Sequence, residues 1–295
     1  MSDDIRSRAI ALYDRFTHEG LGRRAFMTEL TRIAGSAAAA NALLLAIAAD
    51  PAAATIVAAD DERLTTTAQV PLVPGRLSAY AASPRSARTP LAAVMVIHEN
   101  RGLNAHTKDV ARRVALAGYH AFAPDFLTPV GGTPADEDAA RAAIGKLDLA
   151  TTVADTVAAL RQLATRQRAN GKVGAVGFCW GGAMVNRIAV AAGEALDAGV
   201  SYYGPAPVPA EAGKVQAPLL IHLAGNDARV NATAEPWIAA LKEAGKPVEG
   251  HIYPGVEHAF NNDTSAERYN KVAADLAWSR TRDFFGRHLA APGRA

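Results

Sequence analysis

A single cysteine stands where the chain could present a strong nucleophile. The sequence of 295 residues contains one cysteine, Cys179, within the segment 177–182 (GFCWGG). The apolar run before it predicts a buried strand, and the spacing of apolar residues after it predicts a helix. Glycines on both sides permit the strained turn of a G-x-nucleophile-x-G elbow, and a helix N-terminus directed at the sulfur favours a thiolate. The segment therefore predicts a nucleophilic cysteine, and the alternative is an inert cysteine in a glycine-rich turn.

Two further polar residues follow later strands. Asp227 comes after the predicted strand 218–223, and His258 follows the predicted strand 248–253. Because the carboxyl ends of parallel strands meet at one edge of a sheet, we expect both side chains to lie near Cys179. The chain order of nucleophile, acid and base is that of the α/β-hydrolases. We predict that His258 takes the thiol proton or stabilises the thiolate, and that Asp227 orients the imidazole. Taken singly, an aspartate that forms a turn and a loop histidine are the alternatives.

The loop after the predicted strand 91–97 supplies the remaining groups of such a site. In this fold one oxyanion amide follows the nucleophile and the other comes from this loop, so the backbone N–H groups of Trp180 and Asn100 are the candidates. His98 and Glu99 begin a pattern like the zinc motif H-E-x-x-H, but Gly102 stands where the second histidine is required. No metal site is therefore predicted.

The elements that position these residues follow from the alternation of the chain. From about residue 68 onward, short apolar runs alternate with amphipathic stretches. The predicted strands are 91–97, 120–123, 173–178, 198–203, 218–223 and 248–253. The predicted helices are 106–117, 147–167, 237–244, 269–289 and one that begins at Gly181. This alternation predicts an α/β fold, in which a mostly parallel sheet carries helices on both faces and residues 61–295 form one catalytic domain.

Composition excludes several classes of function. The chain is 49% hydrophobic and 20% charged, as expected of a globular domain, and its net charge is +2. It has no basic stripe with interleaved aromatic residues, so no nucleic-acid partner is predicted. Residues 174–177 do not complete a G-x-G-x-x-G fingerprint, and no P-loop lysine follows. No cofactor is therefore predicted.

Residues 1–60 differ from the rest of the chain. Their first part predicts an amphipathic helix, whose apolar face holds Ile5, Ala9, Leu12, Tyr13 and Phe16. Arg23 and Arg24, the apolar run 33–49 and the small residues 51–54 resemble a twin-arginine export signal, which would place the protein in the periplasm. The alternative, which we favour, is a retained helical extension of a cytoplasmic protein. It would pack on the domain or join two subunits in a homodimer. The alanine-rich run is not expected to span a membrane.

These motifs together resemble the dienelactone hydrolase family of α/β-hydrolases, from about residue 70 to the C-terminus. The resemblance rests on the cysteine elbow, Glu99, Asp227 and the segment 255–260 (GVEHAF). It implies hydrolysis of a small lactone or ester, such as ring opening of a carboxymethylenebutenolide, through an acyl-cysteine intermediate. It also implies that Glu99 governs the nucleophile by accepting the thiol proton and moving away when substrate binds. The alternative for Glu99 is a structural ion pair with Arg101 or Arg112.

Two departures from the family pattern concern the substrate. Family members hold a substrate carboxylate with an arginine just after an Asp-Leu-Tyr segment, whereas residues 125–129 (DFLTP) contain no arginine. The residue after the catalytic histidine is Ala259, where the family tends to have serine. Arg101, Tyr203 and Phe260 are the candidates for substrate contact. A general carboxylesterase, a thioesterase and a non-catalytic binding protein on the same scaffold remain alternatives.

Overall fold

A single mixed sheet of eight strands forms the centre of the protein. The computed structural model describes residues 3–48 and 56–290. The strands are β1 (Leu64–Val73), β2 (Leu77–Pro84), β3 (Leu91–Ile97), β4 (His120–Asp125), β5 (Ala169–Phe178), β6 (Ala198–Tyr202), β7 (Leu219–Ala224) and β8 (Val248–Tyr253). Their order across the sheet is β1-β2-β4-β3-β5-β6-β7-β8. Strand β2 pairs antiparallel with β1 and β4, and every pairing from β4 to β8 is parallel. The predicted mostly parallel sheet is confirmed.

Helices cover both faces of this sheet. In chain order they are α1 (Asp3–His18), α2 (Arg23–Ala34), α3 (Ala37–Ile47), α4 (Ala105–Leu116), α5 (Glu137–Ile144), α6 (Leu149–Ala164), α7 (Trp180–Ala191), α8 (Ala228–Glu243) and α9 (Lys271–His288). One apolar core joins a sheet face to helices α6, α7 and α8 through residues such as Leu160, Val185 and Trp237. The other core joins the opposite face to α4 and α9 through Val110 and Phe284. The arrangement is the α/β-hydrolase fold.

Burial of the central strands follows from this two-sided cover. All residues of β6 and β7 are buried, as are the last six residues of β5. Strands covered on both faces are continuous apolar runs instead of alternating ones, which is why these segments were recognisable in the sequence. Strand β1 lies at the sheet edge, contains Pro71 and leaves most of its residues exposed. A proline is tolerated there because an edge strand has unpaired backbone positions.

The N-terminal helices form a unit with a core of its own. Phe16 of α1, Phe26 of α2 and Leu43 of α3 belong to a hydrophobic cluster separate from the two cores of the sheet. Arg23 and Arg24, which suggested an export signal, begin α2, and the apolar run continues into α3. The small residues 51–54 lie outside the described residues. The domain boundary, the homodimer and the fate of the extension stay predictions.

No single helix among the described residues has the length and hydropathy of a membrane span. Helices α2 and α3 would reach that length only together, and their axes meet at a bend of 106°.

After the N-terminal unit, the described chain resumes at Ile56 and is tied to α4 by a buried carboxylate. Asp109 accepts a hydrogen bond of 2.8 Å from the backbone N–H of Val57 and one of 3.3 Å from Ile56. The guanidinium of Arg113 also contacts Asp109 and lies 2.6 Å from Asp263. A fully buried carboxylate is stable only with such partners, so Asp109 fixes the point where the chain enters the sheet domain.

Candidate active site

Cys179 occupies a strained turn between β5 and α7. Its backbone angles are φ 54° and ψ −112°, in a region that non-glycine residues seldom adopt. A Cβ atom at Gly177 would lie 2.1 Å from the carbonyl oxygen of Gly181, and one at Gly181 would lie 2.3 Å from that of Ile97. Glycine is therefore required at both positions, as expected of a nucleophile elbow. The thiol sits at the start of α7, where the helix dipole favours negative charge.

Asp227 and His258 lie beside this turn, at the same edge of the sheet. The Nδ1 atom of His258 is 2.5 Å from Oδ2 of Asp227. The other carboxylate oxygen of Asp227 accepts a 3.1 Å hydrogen bond from the backbone N–H of Val230 and so caps α8. Asp227 is therefore both a helix cap and a partner of the imidazole. The alternative for Asp227 was a purely structural role in the turn. Asp227 has such a role, but it contacts His258 as well.

The protonation of His258 reflects its contacts with Cys179 and Asp227. Burial disfavours the imidazolium, but the negative charge of Cys179 and hydrogen bonds to Asp227 and Cys179 outweigh burial and raise the pKa of His258 to about 10. Burial alone would raise the pKa of Asp227, but the hydrogen bond from His258 and the positive charge of its ring outweigh burial. The pKa of Asp227 is therefore lowered. The geometry thus favours an ionised acid beside a charged imidazole.

Glu99 is held at the rim of the same site. Its Oε1 atom accepts a 3.4 Å hydrogen bond from the hydroxyl of Tyr203, and its Oε2 atom accepts one of 3.1 Å from the side-chain amide of Asn262. The two arginines considered as structural partners contact other carboxylates, since Arg101 pairs with Glu137 and Arg112 lies near Asp109. Glu99 therefore joins the loop after β3 to the segment that follows His258.

The two candidate oxyanion amides belong to the first residue of α7 and to the loop after β3. Trp180 is the first residue of α7, so its N–H has no carbonyl partner within the helix. Its indole stacks on the imidazole of His98, with ring centroids 5.4 Å apart and an interplanar angle of 13°. Asn100 donates a 3.0 Å side-chain hydrogen bond to the carbonyl oxygen of Thr17 in α1. These contacts fix the positions of the Trp180 ring and the Asn100 side chain.

The three candidates for substrate contact occupy different surroundings. Tyr203 packs edge-on against His258, with ring centroids 5.0 Å apart. Phe260 is 0% exposed and lies among aromatic rings, 5.5 Å from Tyr203. Arg101 contacts the hydroxyl of Tyr13 as well as Glu137. Tyr203 thus packs against a predicted catalytic residue, and the substrate roles of all three stay predictions.

Helix α1 brings residues to the site that the sequence did not identify. The hydroxyl of Tyr13 contacts Arg101, and the carbonyl oxygen of Thr17 accepts a hydrogen bond from Asn100. The carboxylate of Asp14 lies 3.9 Å from the guanidinium of Arg268. The apolar face of α1 was predicted, but periodicity does not say which surface will cover a face. Asn262 was also missed, although its position four residues after His258 was a usable signal. Within the described ranges, no cluster of three or more His, Cys, Asp or Glu side chains is arranged to hold a metal ion.

Comparison with known proteins identifies the family. The model of the dienelactone hydrolase family matches residues 77–289, which include the whole elbow, Asp227 and His258. The chain belongs to the dienelactone hydrolase family. Members of this family hydrolyse lactone or ester bonds, and the protein is accordingly a hydrolase of that class.

Individual relatives agree with this placement. A carboxymethylenebutenolidase from Pseudomonas putida is 32% identical over 211 residues, which cover 67% of this chain and 86% of the relative. The protein usf of Aquifex pyrophilus is 34% identical and covers 66% of this chain and 88% of its own. The crystal structure of a dienelactone hydrolase from Anabaena variabilis shares the fold, with a TM-score of 0.60 and 20% identity. It covers 77% of this chain and 100% of its own.

Proposed function

We propose that this dienelactone hydrolase family member cleaves a lactone or ester with Cys179 as nucleophile, through an acyl-cysteine intermediate. The observation that carries the proposal is the pairing of His258 with Asp227 beside the strained elbow that presents Cys179. The raised pKa of His258 supports an imidazolium paired with a thiolate. A thiolate is the reactive form of cysteine and needs no proton removal at the moment of attack.

In the first step, the Sγ atom of Cys179 bonds to the carbonyl carbon of the substrate, and the carbonyl oxygen becomes an oxyanion. The N–H groups of Trp180 and Asn100 are the candidate donors to that oxygen. Collapse of the adduct breaks the carbon–oxygen bond of the ester, and His258 gives its proton to the departing oxygen. In a lactone the departing oxygen stays attached, so this step opens the ring and leaves one acyl chain on Cys179.

In the second step, water hydrolyses the thioester. Neutral His258 takes a proton from the water, whose oxygen bonds to the acyl carbon, and the carbon–sulfur bond breaks. The acid leaves, and Cys179 and His258 return to the thiolate and imidazolium pair. Asp227 stays ionised in both steps and keeps the Nδ1 side of the imidazole facing it.

Glu99 is proposed to control the nucleophile in the resting enzyme. A carboxylate close to Cys179 repels the negative charge of the thiolate and so lowers the resting population of the thiolate and imidazolium pair, and a substrate that displaces the carboxylate removes this repulsion. The hydrogen bonds from Tyr203 and Asn262 give Glu99 a defined position that it would leave when substrate binds. Its removal should therefore raise the reactivity of the resting thiol.

The class of substrate is proposed more broadly than dienelactones alone. The segment after Asp125 holds no arginine, and the carboxylate of Asp125 accepts hydrogen bonds from the backbone N–H groups of Leu127 and Thr133. Arg101, the candidate replacement, is engaged by Glu137 and Tyr13. Uncharged lactones, esters and thioesters are therefore proposed alongside a carboxylate-bearing dienelactone.

The decisive experiment combines turnover with trapping of the intermediate. The wild-type protein should hydrolyse p-nitrophenyl acetate and members of a lactone, ester and thioester panel. Rapid quenching should give an added acyl mass on the peptide that contains Cys179. The Cys179→Ala variant should lose both signals while its melting temperature stays close to that of the wild type. Near wild-type turnover by this variant would refute a cysteine nucleophile.

The Cys179→Ser variant is the matched control for the chemistry of the nucleophile. A hydroxyl is much less acidic than a thiol, so serine stays protonated at rest and its proton must be removed during attack, in a site whose cysteine is proposed to react as a preformed thiolate. We therefore expect the turnover rate of this variant to fall by several orders of magnitude.

A further inference from the structure

Helix α1 lies across the mouth of the active site. In the sheet, β5 with Cys179 stands between β3 on one side and β6, β7 and β8 on the other. Glu99 follows β3, and His258 follows β8. A helix that contacts the loop after β3 and the segment after β8 must pass over the strand ends between them. The contacts of α1 have this arrangement.

On the β3 side, α1 is held by the loop that carries the candidate oxyanion amide. The side-chain amide of Asn100 donates a 3.0 Å hydrogen bond to the carbonyl oxygen of Thr17. The guanidinium of Arg101 contacts the hydroxyl of Tyr13 and lies 5.8 Å from the centre of its ring.

On the β8 side, the N-terminal helices are held by the segment 265–268, shortly after His258. Arg6 lies 2.8 Å from the carboxylate of Glu267 and also donates to its carbonyl oxygen. The hydroxyl of Ser265 donates a 2.7 Å hydrogen bond to the carbonyl oxygen of Ile47, at the end of α3. The guanidinium of Arg268 lies 5.1 Å from the ring centre of Tyr13. The ring of Tyr13 is therefore in contact with Arg101 from the β3 side and with Arg268 from the β8 side.

The catalytic groups beneath α1 are withdrawn from solvent. Cys179 is 4% exposed and His258 is 2% exposed. Asp14 of α1 lies close enough to His258 and Asp227 for their charges to act on its pKa, which burial raises overall. In this arrangement little of Cys179 or His258 is open to a molecule approaching from solvent.

Helices α1, α2 and α3 are held in a way that would let them move away from the sheet domain as one unit. Helices α1, α2 and α3 bury their apolar side chains against one another, in a cluster distinct from the two cores of the sheet. The contacts described above between this cluster and the sheet domain are hydrogen bonds, ion pairs and cation–π contacts. A unit with its own core and a polar interface resembles a mobile domain more than a part of a common core.

We propose that helices α1–α3 form a lid over the active site, and that substrate reaches Cys179 only when the contacts of α1 with the loops after β3 and β8 are released. This proposal rests on the proposed function in one respect, namely that the thiol beneath the lid is the nucleophile. Closure also excludes water from the reacting groups, and opening limits how often the thiol meets a reagent.

Alkylation of the single cysteine in the full-length chain tests the lid without any turnover. Iodoacetamide should label wild-type Cys179 more slowly than any variant whose lid opens more readily, because the reagent reaches the thiol only in the open state. The Arg6→Ala variant should be labelled about fivefold faster or more, since an ion pair and a charge-assisted hydrogen bond to the body are lost. Glu267→Gln should accelerate labelling in the same direction.

Arg8→Ala is the matched control. Arg8 lies on the same helix and forms an exposed ion pair of 3.4 Å with Asp4, in the same helix. Its removal should leave the labelling rate within about twofold of wild type, because this pair does not join α1 to the body. Melting temperatures of all variants separate opening of the lid from general loss of structure.

The outcomes distinguish the lid from the hydrolase mechanism. If Arg6→Ala and Glu267→Gln both label at the wild-type rate, as Arg8→Ala is expected to do, the lid is refuted. That result would leave the loss of turnover in Cys179→Ala untouched. Gated labelling combined with full turnover by Cys179→Ala would instead refute the nucleophile and retain the lid.

Discussion

Replacing Asp227 by asparagine isolates the charge that stabilises the imidazolium of His258. Asparagine caps helices about as well as aspartate, so the bond to Val230 at the start of α8 is kept. What is lost is one negative charge at the Nδ1 side of a buried imidazole, 2.5 Å from the ring nitrogen. The variant therefore separates electrostatics from helix stability.

The size of the effect follows from the geometry. The pKa of His258 is raised from 6.5 to about 10, and Cys179 and Asp227 share the causes that raise it. Unit charges about 4 Å apart interact by about 4 kcal/mol at an effective dielectric constant of about 20, which corresponds to about 3 in pKa. Because the asparagine carbonyl still accepts a hydrogen bond, we expect the pKa of His258 to fall by about 1 to 2.

The assay is the pH dependence of kcat/KM for p-nitrophenyl acetate. His258 is an imidazolium below its pKa and loses its charge as the pH rises through about 10. The alkaline decline in the wild-type rate should therefore lie near pH 10, and in Asp227→Asn it should move to lower pH. We also expect the maximal rate to fall by about a hundredfold, because the imidazole is less well oriented and less basic.

The control is Asp148→Asn. Asp148 also caps a helix, since it accepts a 2.8 Å hydrogen bond from the backbone N–H of Thr151 in α6, but it is not one of the residues of the candidate active site. Its pH profile should match that of the wild type. An alkaline limb that stays at the same pH in Asp227→Asn, with activity retained, would contradict the assignment of Asp227 as one of the two partners that raise the pKa of His258.

Three further substitutions test other parts of the structure. Gly177→Ala places a Cβ atom 2.1 Å from the carbonyl oxygen of Gly181, and because that atom belongs to the backbone we expect a loss of at least about 3 kcal/mol in urea unfolding. Unchanged stability would show that the elbow is less tightly packed than described. Glu99→Gln should be alkylated by iodoacetamide at Cys179 faster than wild type in the absence of substrate; slower or equal labelling would argue against a controlling carboxylate. Asp109→Asn removes a buried charge that binds two backbone amides and Arg113, and should lower stability by about 3 kcal/mol in the same unfolding measurement. A loss below 1 kcal/mol would mean that this anchor is dispensable.

The sequence predicted the strands that carry the candidate site because apolar runs and the residues that follow them are local features. The apolar runs before Cys179 and Asp227 are the buried strands β5 and β7, with β6 between them, and β8 follows β7 in the same parallel part of the sheet. The side chains of Asp227 and His258 therefore meet although 31 positions separate them in the chain. Their contact supports the expected geometry, while their roles in catalysis await the experiments above.

Other elements were mispredicted for physical reasons. Helix α8 begins at Ala228, not at residue 237, because Pro236 lies inside it and interrupts the sequence signal of a helix. The hairpin of β1 and β2 and the helix α5 were not predicted; β1 is an exposed edge strand without a clear alternation. The position of α1 over the candidate site could not be predicted either. The apolar face of a helix indicates that the face is buried, but it does not identify the surface that it packs against.

Burial protects Cys179 from oxidants as well as from premature reaction. A thiolate is converted by peroxide to a sulfenic acid and then to irreversible higher acids, and exposure governs how fast this occurs. Cys179 is only 4% exposed, so little of the residue is open to such molecules while α1 is in place. The chain contains one cysteine, so an oxidised sulfur has no second thiol in the same chain to form a disulfide from which reductants could recover it. Under the proposed lid, helix α1 would therefore slow the irreversible oxidation of the one cysteine in the chain.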